Sequence, residues 1–297
     1  MEFECLGLAA SAPGAPALSF VESARYVDGL GDDIACVICP TELATHIRDR
    51  GVCLSTEPRS LFFAIHNHLA DDPSYRRPAF ETRIGDGCDI SPLAFVAPEG
   101  VVIGDGCIIE EFASIKEGTV LGDGCVVRAG AVVGGEGFEV KRIDGRTVTV
   151  RHLGGVRVED NVEVQQNACV DRAVYPWDDT ALGEGARIDN LVHIAHGVKL
   201  GRRVEVACLT CVAGRTVVGD DVWIGPGCTL RNGIEVGDGA RVNMGSVVSR
   251  SVPAGESVTG NFAIEHSRFL RNVKISAAAD LRSALEESSG GRSSATI

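Results

Sequence analysis

The stretch Leu182-Gly-Glu-Gly-Ala-Arg-Ile188-Asp-Asn-Leu-Val-His-Ile194-Ala-His-Gly-Val-Lys-Leu200-Gly-Arg-Arg-Val-Glu-Val206 repeats one pattern every six residues. An aliphatic residue leads each hexad, Gly or an acid often follows it, and a small residue stands four places on. Downstream the leads continue at Val212, Val218, Ile224, Leu230, Val236, Val242 and Val248 without a miss. Upstream they run Ile84, Ile90, Val96, slip by one residue, and resume at Ile103, Ile109, Ile115, Leu121, Val127 and Val133. After an interruption they return at Val158, Val164 and Val170, and the chain passes through Pro176 before Leu182. Of these 24 hexads only the one led by Leu230 has a large fourth residue, Ile234. A six-residue period with a small residue at fixed phase predicts a left-handed parallel β-helix of hexapeptide repeats. Three short strands make one coil of 18 residues, so the leads specify eight coils. The leads point inward and stack; the small residues sit at the corners. Cys88, Cys107, Cys125 and Cys228 fall at that corner phase and read as space-fillers.

Composition agrees. The chain of 297 residues has 36 glycines and 5% aromatics, a turn-rich and mainly β composition. Its net charge of −13 argues against a general nucleic-acid binder, which needs clustered Lys and Arg for phosphates. No apolar run approaches the ~18 residues of a spanning helix. The first thirty residues carry Glu2, Glu4 and Glu22 with no export pattern, so the eleven cysteines are expected to be reduced thiols in the cytoplasm. Cys36-x-x-Cys39 and Cys208-x-x-Cys211 each have half-zinc-site spacing but lie far apart, and small buried thiols are the expected reading.

Residues 1–82 show no hexads and read as a small α/β cap domain. Strands are expected at 35–39 and 51–54, and a helix over 57–68 with Thr56 as N-cap candidate. Residues 83–262 form the prism, interrupted by an arm at 137–157 whose Asp144-Gly145 is a hairpin signal. Helical spacing marks 263–288, and the Ser- and Gly-rich residues 289–297 are expected to be disordered.

Fold alone gives no function. A zinc version of such a prism needs three converging histidines. His193 and His196 sit at different phases of the hexad and His152 lies on the arm, so no metal site is expected. His196 points outward two places after Ile194, and 18 residues on lies Gly214. A histidine base beside a glycine N–H suits acyl transfer: the imidazole takes the proton of an attacking amine or hydroxyl, and the N–H holds the oxyanion. Asp189, seven residues earlier, is a candidate to fix the imidazole's tautomer. An outward His196 needs a second wall to make a cleft, which predicts a homotrimer.

Ile188-Asp189-Asn190-Leu-Val-His-Ile194-Ala195-His196, with Val170-Asp171-Arg172 and Asp178-Asp179-Thr180, resembles the UDP-3-O-acylglucosamine N-acyltransferase family of the lipid A pathway. The resemblance implies a 3-hydroxyacyl transfer from acyl carrier protein to a nucleotide-linked amino sugar, with His196 as base and Asp189 as its support. It also implies a uracil-binding cap, matched here by Phe20, Ser23 and Tyr26, with Ser23 where the family has Asn. The family's Gly-Phe-Gly turn near the substrate reads Gly137-Phe138-Glu139, and its second histidine is replaced at Asn232-Gly233. These departures leave open a paralogue acting on another nucleotide-linked amino sugar, with a coenzyme A thioester as alternative donor and no tightly bound cofactor. A non-catalytic trimeric scaffold is the other class. Arg268, Arg271, Lys274 and Arg282 form a basic strip on the terminal helix, suited either to docking an acidic carrier protein or to plain solvation. Tyr175 and Trp177, where the hexads break, would line an acyl tunnel or cap a bulge.

Overall fold

The computed structural model describes residues 2–143, 145–260, 263–272 and 274–275. Residues 1–260 form one compact unit and the residues beyond form a second.

Every lead residue lies in a short strand, and Ser257–Val258 adds one strand beyond the predicted series. The prism strands form three parallel sheets of eight, eight and nine strands. Their order within each sheet skips two strands at each step, as three strands per coil requires, except where the step spans the inserted hairpin and at the last strand, Ser257–Val258. In the uninterrupted part the register is 18 residues: Ile194 pairs with Val212 and Val212 with Leu230. The stacked leads and corner residues form one continuous core running from Ala97 to Val252. Cys107, Cys125 and Cys228 are buried at the corners, and each turns Sγ toward a carbonyl of a neighbouring coil. They fill space, as their phase implies.

The Gly-acid steps also have a structural role. The carboxylate Oδ1 of Asp123 accepts from the Asp105 N–H of the preceding coil, at 2.8 Å. Asp220 does the same for Arg202, and Asp238 for Asp220. The residue before each such turn must be glycine because the next coil's aspartate lies against it. A Cβ on Gly201 would fall 2.6 Å from Asp220 Oδ1 and 2.7 Å from its backbone nitrogen.

The cap is a four-stranded parallel sheet, Cys5–Leu6, Ala17–Phe20, Ile34–Cys39 and Gly51–Leu54. Helix α1, Pro58–Leu69, covers it. Its N-cap is Glu57 rather than Thr56, and Ser55 Oγ accepts from the Glu57 N–H instead. The cap and prism share a core: Leu6, Leu18, Phe62 and Phe63 pack with Val150, Val174 and Tyr175. Tyr175 stacks on Trp177 with centroids 5.6 Å apart, and the Trp177 indole N–H donates to the Leu6 carbonyl. This aromatic pair fastens cap to prism. The arm is a two-stranded hairpin, Val140–Ile143 and Arg146–Thr149, which lies along α1: Asn67 Nδ2 donates to Thr149, and Arg151 N–H to Asn67.

In the second unit, residues 266–272, 274 and 275 are helical, with Arg268, Arg271 and Lys274 exposed. The rest of the helix expected to 288, with Arg282, and the tail at 289–297 lie outside the described residues. Among the described residues no helix is long and apolar enough to cross a membrane.

Substituting Gly201→Ala should lower unfolding free energy by about 1–3 kcal/mol, the usual cost of overpacking, because backbone rather than a flexible side chain must yield. Equal midpoints for variant and wild type in urea denaturation would show that the corner has room.

Candidate active site

The 18-residue register decides what faces what. The Arg215 N–H donates to the His196 carbonyl at 3.0 Å, so the turn carrying Gly214 sits directly on the turn carrying His196. A Cβ on Gly214 would lie 2.6 Å from His196 Nε2; only glycine lets the ring lie against the next coil. The Gly214 N–H has no hydrogen-bond partner among the described residues. Both residues line a cleft of about 310 Å³ together with Phe138, Asp171, His193, Cys211, Arg215 and Asn232.

Here the arm takes part. Glu139, at its base, is buried, and its Oε2 lies 3.0 Å from His196 Nε2. Lys141 pairs with its other oxygen, and Arg215 Nη1 stands 3.8 Å from Oε2. Burial alone would raise the carboxyl's pKa. The hydrogen bonds from His196 and Lys141 and the Arg215 charge overcome it and hold the pKa at about 2. Glu139 is therefore an anion throughout the neutral range. Glu139 thus holds Nε2, the ring nitrogen beside Gly214, while Nδ1 is buried and has no partner of its own. The backbone at Gly137 closes on the ring's other side, where a Cβ would meet Nδ1 at 3.1 Å. His152 stands edge-on to His196, centroids 5.4 Å apart, and burial followed by the His196 charge lowers its pKa to about 4.

Asp189 is engaged elsewhere. Its oxygens accept from the Asn190 N–H and side-chain amide and from the Cys208 N–H. It lines a different groove, with Glu163, Gln165, Glu205 and Trp223. It follows a strand of another prism sheet from the one preceding His196. Within one chain the acid on His196 is Glu139, not Asp189. The sequence already marked Glu139 as the residue where family glycine is expected, yet nothing in the spacing showed that the arm folds back onto the base. The expectation that His193 and His196 diverge is also corrected. Both line one cleft, because a strand residue just before a lead and a turn residue just after it flank the same corner. His193 Nε2 is 2.8 Å from Asp171 Oδ2, and that hydrogen bond, with a smaller contribution from Cys211, lifts its pKa to about 10.

A second cleft of about 500 Å³ adjoins the first, sharing Lys141, Arg215 and Asn232 with it. Its far wall is the cap: Phe20, Glu22, Tyr26 and Arg59. Phe20 is partly committed, its ring 5.0 Å from Phe62. Tyr26 is exposed, with the Arg25 guanidinium over its face at 4.6 Å. Ser23 precedes the short turn 24–26 and does not line the cleft. Arg215 was legible in retrospect. It occupies a corner held by Gly197 one coil before and Gly233 one coil after, and it keeps their left-handed backbone at φ 61°. A non-glycine there costs about 1–2 kcal/mol, and it puts a guanidinium at the junction of the two clefts.

The pH dependence follows from Glu139. Its folded pKa is depressed from 4.5 to about 2, so its stabilisation is complete above about 4.5 and lost as pH falls toward 2. Wild type should be more stable than Glu139→Gln at pH 6, and the gap should close between pH 4.5 and 2. A gap constant with pH would mean that the carboxylate is not held by these cations.

Comparison with known proteins agrees with the repeats. Residues 100–135 and 215–250 match the model of the bacterial transferase hexapeptide (six repeats). The chain is 36% identical over 213 residues to the UDP-3-O-acylglucosamine N-acyltransferase of Leptothrix cholodnii, covering 62% of this chain and 61% of that protein. With the Caulobacter sp. enzyme of the same name identity is 40% over 145 residues, 49% of this chain and 42% of the other. The chain thus spans less than two thirds of these relatives' length. The solved structure of UDP-N-acetylglucosamine acyltransferase from Arabidopsis superposes with a TM-score of 0.52 at 24% identity, over 73% of this chain and 82% of that one. That likeness is one of fold, the left-handed β-helix. The chain is a hexapeptide-repeat β-helix protein similar to the UDP-3-O-acylglucosamine N-acyltransferases.

Proposed function

We propose that this chain is an N-acyltransferase that moves a 3-hydroxyacyl group from a thioester to the amine of a nucleotide-linked amino sugar, as its named relatives do for UDP-3-O-acylglucosamine. One observation carries the reading: a histidine packed on a glycine whose N–H is unpaired opens into a second cleft walled by aromatics and arginine on the cap. The nucleoside occupies the cap cleft and stacks on the free face of Tyr26. The sugar crosses the junction at Arg215 and Asn232. Its amine attacks the thioester carbonyl, His196 takes the amine proton on Nε2 as the substrate replaces Glu139 at that nitrogen, and the Gly214 N–H receives the oxyanion. Glu139 holds the ring and stabilises the imidazolium that forms. The thiol then leaves and the amide is complete.

The acyl donor is a carrier-protein thioester, with the exposed Arg268, Arg271 and Lys274 as the surface for its acidic partner. The active assembly is a homotrimer, in which Asp189, turned away from its own His196, serves a neighbouring copy.

Thiol release from a 3-hydroxyacyl thioester should depend on a UDP-linked amino sugar. His196→Ala should slow it by roughly 10²–10⁴-fold, the usual worth of a general base. Mixing His196→Ala with Asp189→Ala protein should restore part of the rate. Release that ignores the acceptor, or a particle of 31.2 kDa by light scattering, would contradict the reading. Tyr26→Ala should weaken UDP binding about 5- to 150-fold, the worth of one stacked base; unchanged calorimetric affinity would place the nucleotide elsewhere.

A further inference from the structure

Glu139 is a buried charge placed where the acyl acceptor must arrive. Its Oε2 lies 3.0 Å from His196 Nε2, the ring nitrogen on which Gly214 packs. Lys141 pairs with its other oxygen and Arg215 Nη1 stands 3.8 Å from Oε2. These cations keep it ionised, and an ionised carboxylate only accepts hydrogen bonds. Asp171, the other carboxylate lining the cleft, is engaged by His193 Nε2 at 2.8 Å.

To act as a base, Nε2 presents a lone pair, so the ring carries its proton on Nδ1. His152 can receive that proton's hydrogen bond. Its own Nδ1–H donates to the Val150 carbonyl at 3.1 Å, which leaves its buried Nε2 an acceptor with no donor, on a ring edge-on to His196. A nucleophile reaching His196 therefore enters between two acceptors, Nε2 and Glu139 Oε2. Counting hydrogens at this spot separates acceptor chemistries. A primary amine gives one N–H to Nε2 and one to Oε2, and keeps its lone pair for the thioester carbon. A hydroxyl has a single O–H. Given to Nε2, it leaves a buried carboxylate without its donor; given to Glu139, it is lost to the base. A site reject strongly those analogues that leave its buried polar groups unpaired.

We propose that Glu139 selects an amine over a hydroxyl as the acyl acceptor. This deepens the acyltransferase reading and rests on it. As the amine attacks, the C–N bond forms and negative charge passes to the carbonyl oxygen at the Gly214 N–H. Nε2 takes the proton of the N–H that faces it. The C–S bond then breaks, and the departing thiolate takes that proton from Nε2. The second N–H stays in place throughout, so the amide product still carries the hydrogen that Glu139 held. An ester product would carry none.

The test uses the whole protein and two acceptors, UDP-3-O-acylglucosamine and the otherwise identical molecule with a hydroxyl in place of the amine. Calorimetry without donor should show the wild type preferring the amine by about 10- to 100-fold, the usual effect of one donor opposite a buried charge. Glu139→Gly should bring the two affinities together. Glu139→Gln, whose amide oxygen still accepts, should fall between, and it serves alone if the glycine variant does not fold. The ratio is read because freeing Lys141 and Arg215 alters UDP binding alike for both acceptors. With 3-hydroxyacyl-coenzyme A as donor, the amine-to-hydroxyl ratio of kcat/KM should fall in the same order. A ratio unchanged in the variants, including an equal loss on both acceptors, would make Glu139 a structural residue and overturn the selection. No thiol release by the wild type with the amine acceptor would instead overturn the acyltransferase reading, and the selection with it.

Discussion

Backbone hydrogen bonding between successive coils is the constraint on which everything else here depends. It is made residue by residue at a separation of 18 wherever the repeat is unbroken. It stacks aliphatic on aliphatic inside, which supplies the prism's core. On the outside it stacks whatever the sequence places at equal phase. His196 meets Gly214 and His193 meets Cys211 for the same reason that Ile194 meets Val212. The stacking of the coils alone thus brings His196 and Gly214 together.

The second determinant is the arm, which breaks the register. It leaves the prism after Gly135, returns at Gly155, and on its way sets Glu139 against His196 and Lys141 beside Arg215. A buried carboxylate is costly unless paired, and this one is paired three times over. Its cations also face the cap cleft, so the group that orients the base is tied electrostatically to the place where a nucleotide diphosphate would arrive. The cap is held to the same prism face by Tyr175 and Trp177, which keeps the two clefts adjoining.

The fold was legible because the hexad is local: each lead and each small corner residue can be read from six positions, and every predicted lead lies in a strand. Gly214 was legible by adding 18 to His196. Glu139 was not, as its meeting with His196 depends on the path of an insertion that has no period. The assignment of Asp189 to its own His196 failed for a related reason. Seven residues is just over one hexad, and one hexad is a step around the prism to another sheet. Likewise His193 and His196 differ in phase yet flank one corner, because phase fixes direction from the backbone and not which cleft the side chain reaches.

The central claim is that His196 and the Gly214 N–H together form the acyl-transfer centre, and Gly214→Ala tests it most directly. The added methyl would fall 2.6 Å from His196 Nε2 and displace the ring from the oxyanion donor, while the cap cleft is untouched. Steady-state kinetics and UDP calorimetry on the variant should show kcat reduced by about 10²–10³, the range for losing an oxyanion contact, with nucleotide affinity unchanged. Wild-type kcat in Gly214→Ala would contradict the account.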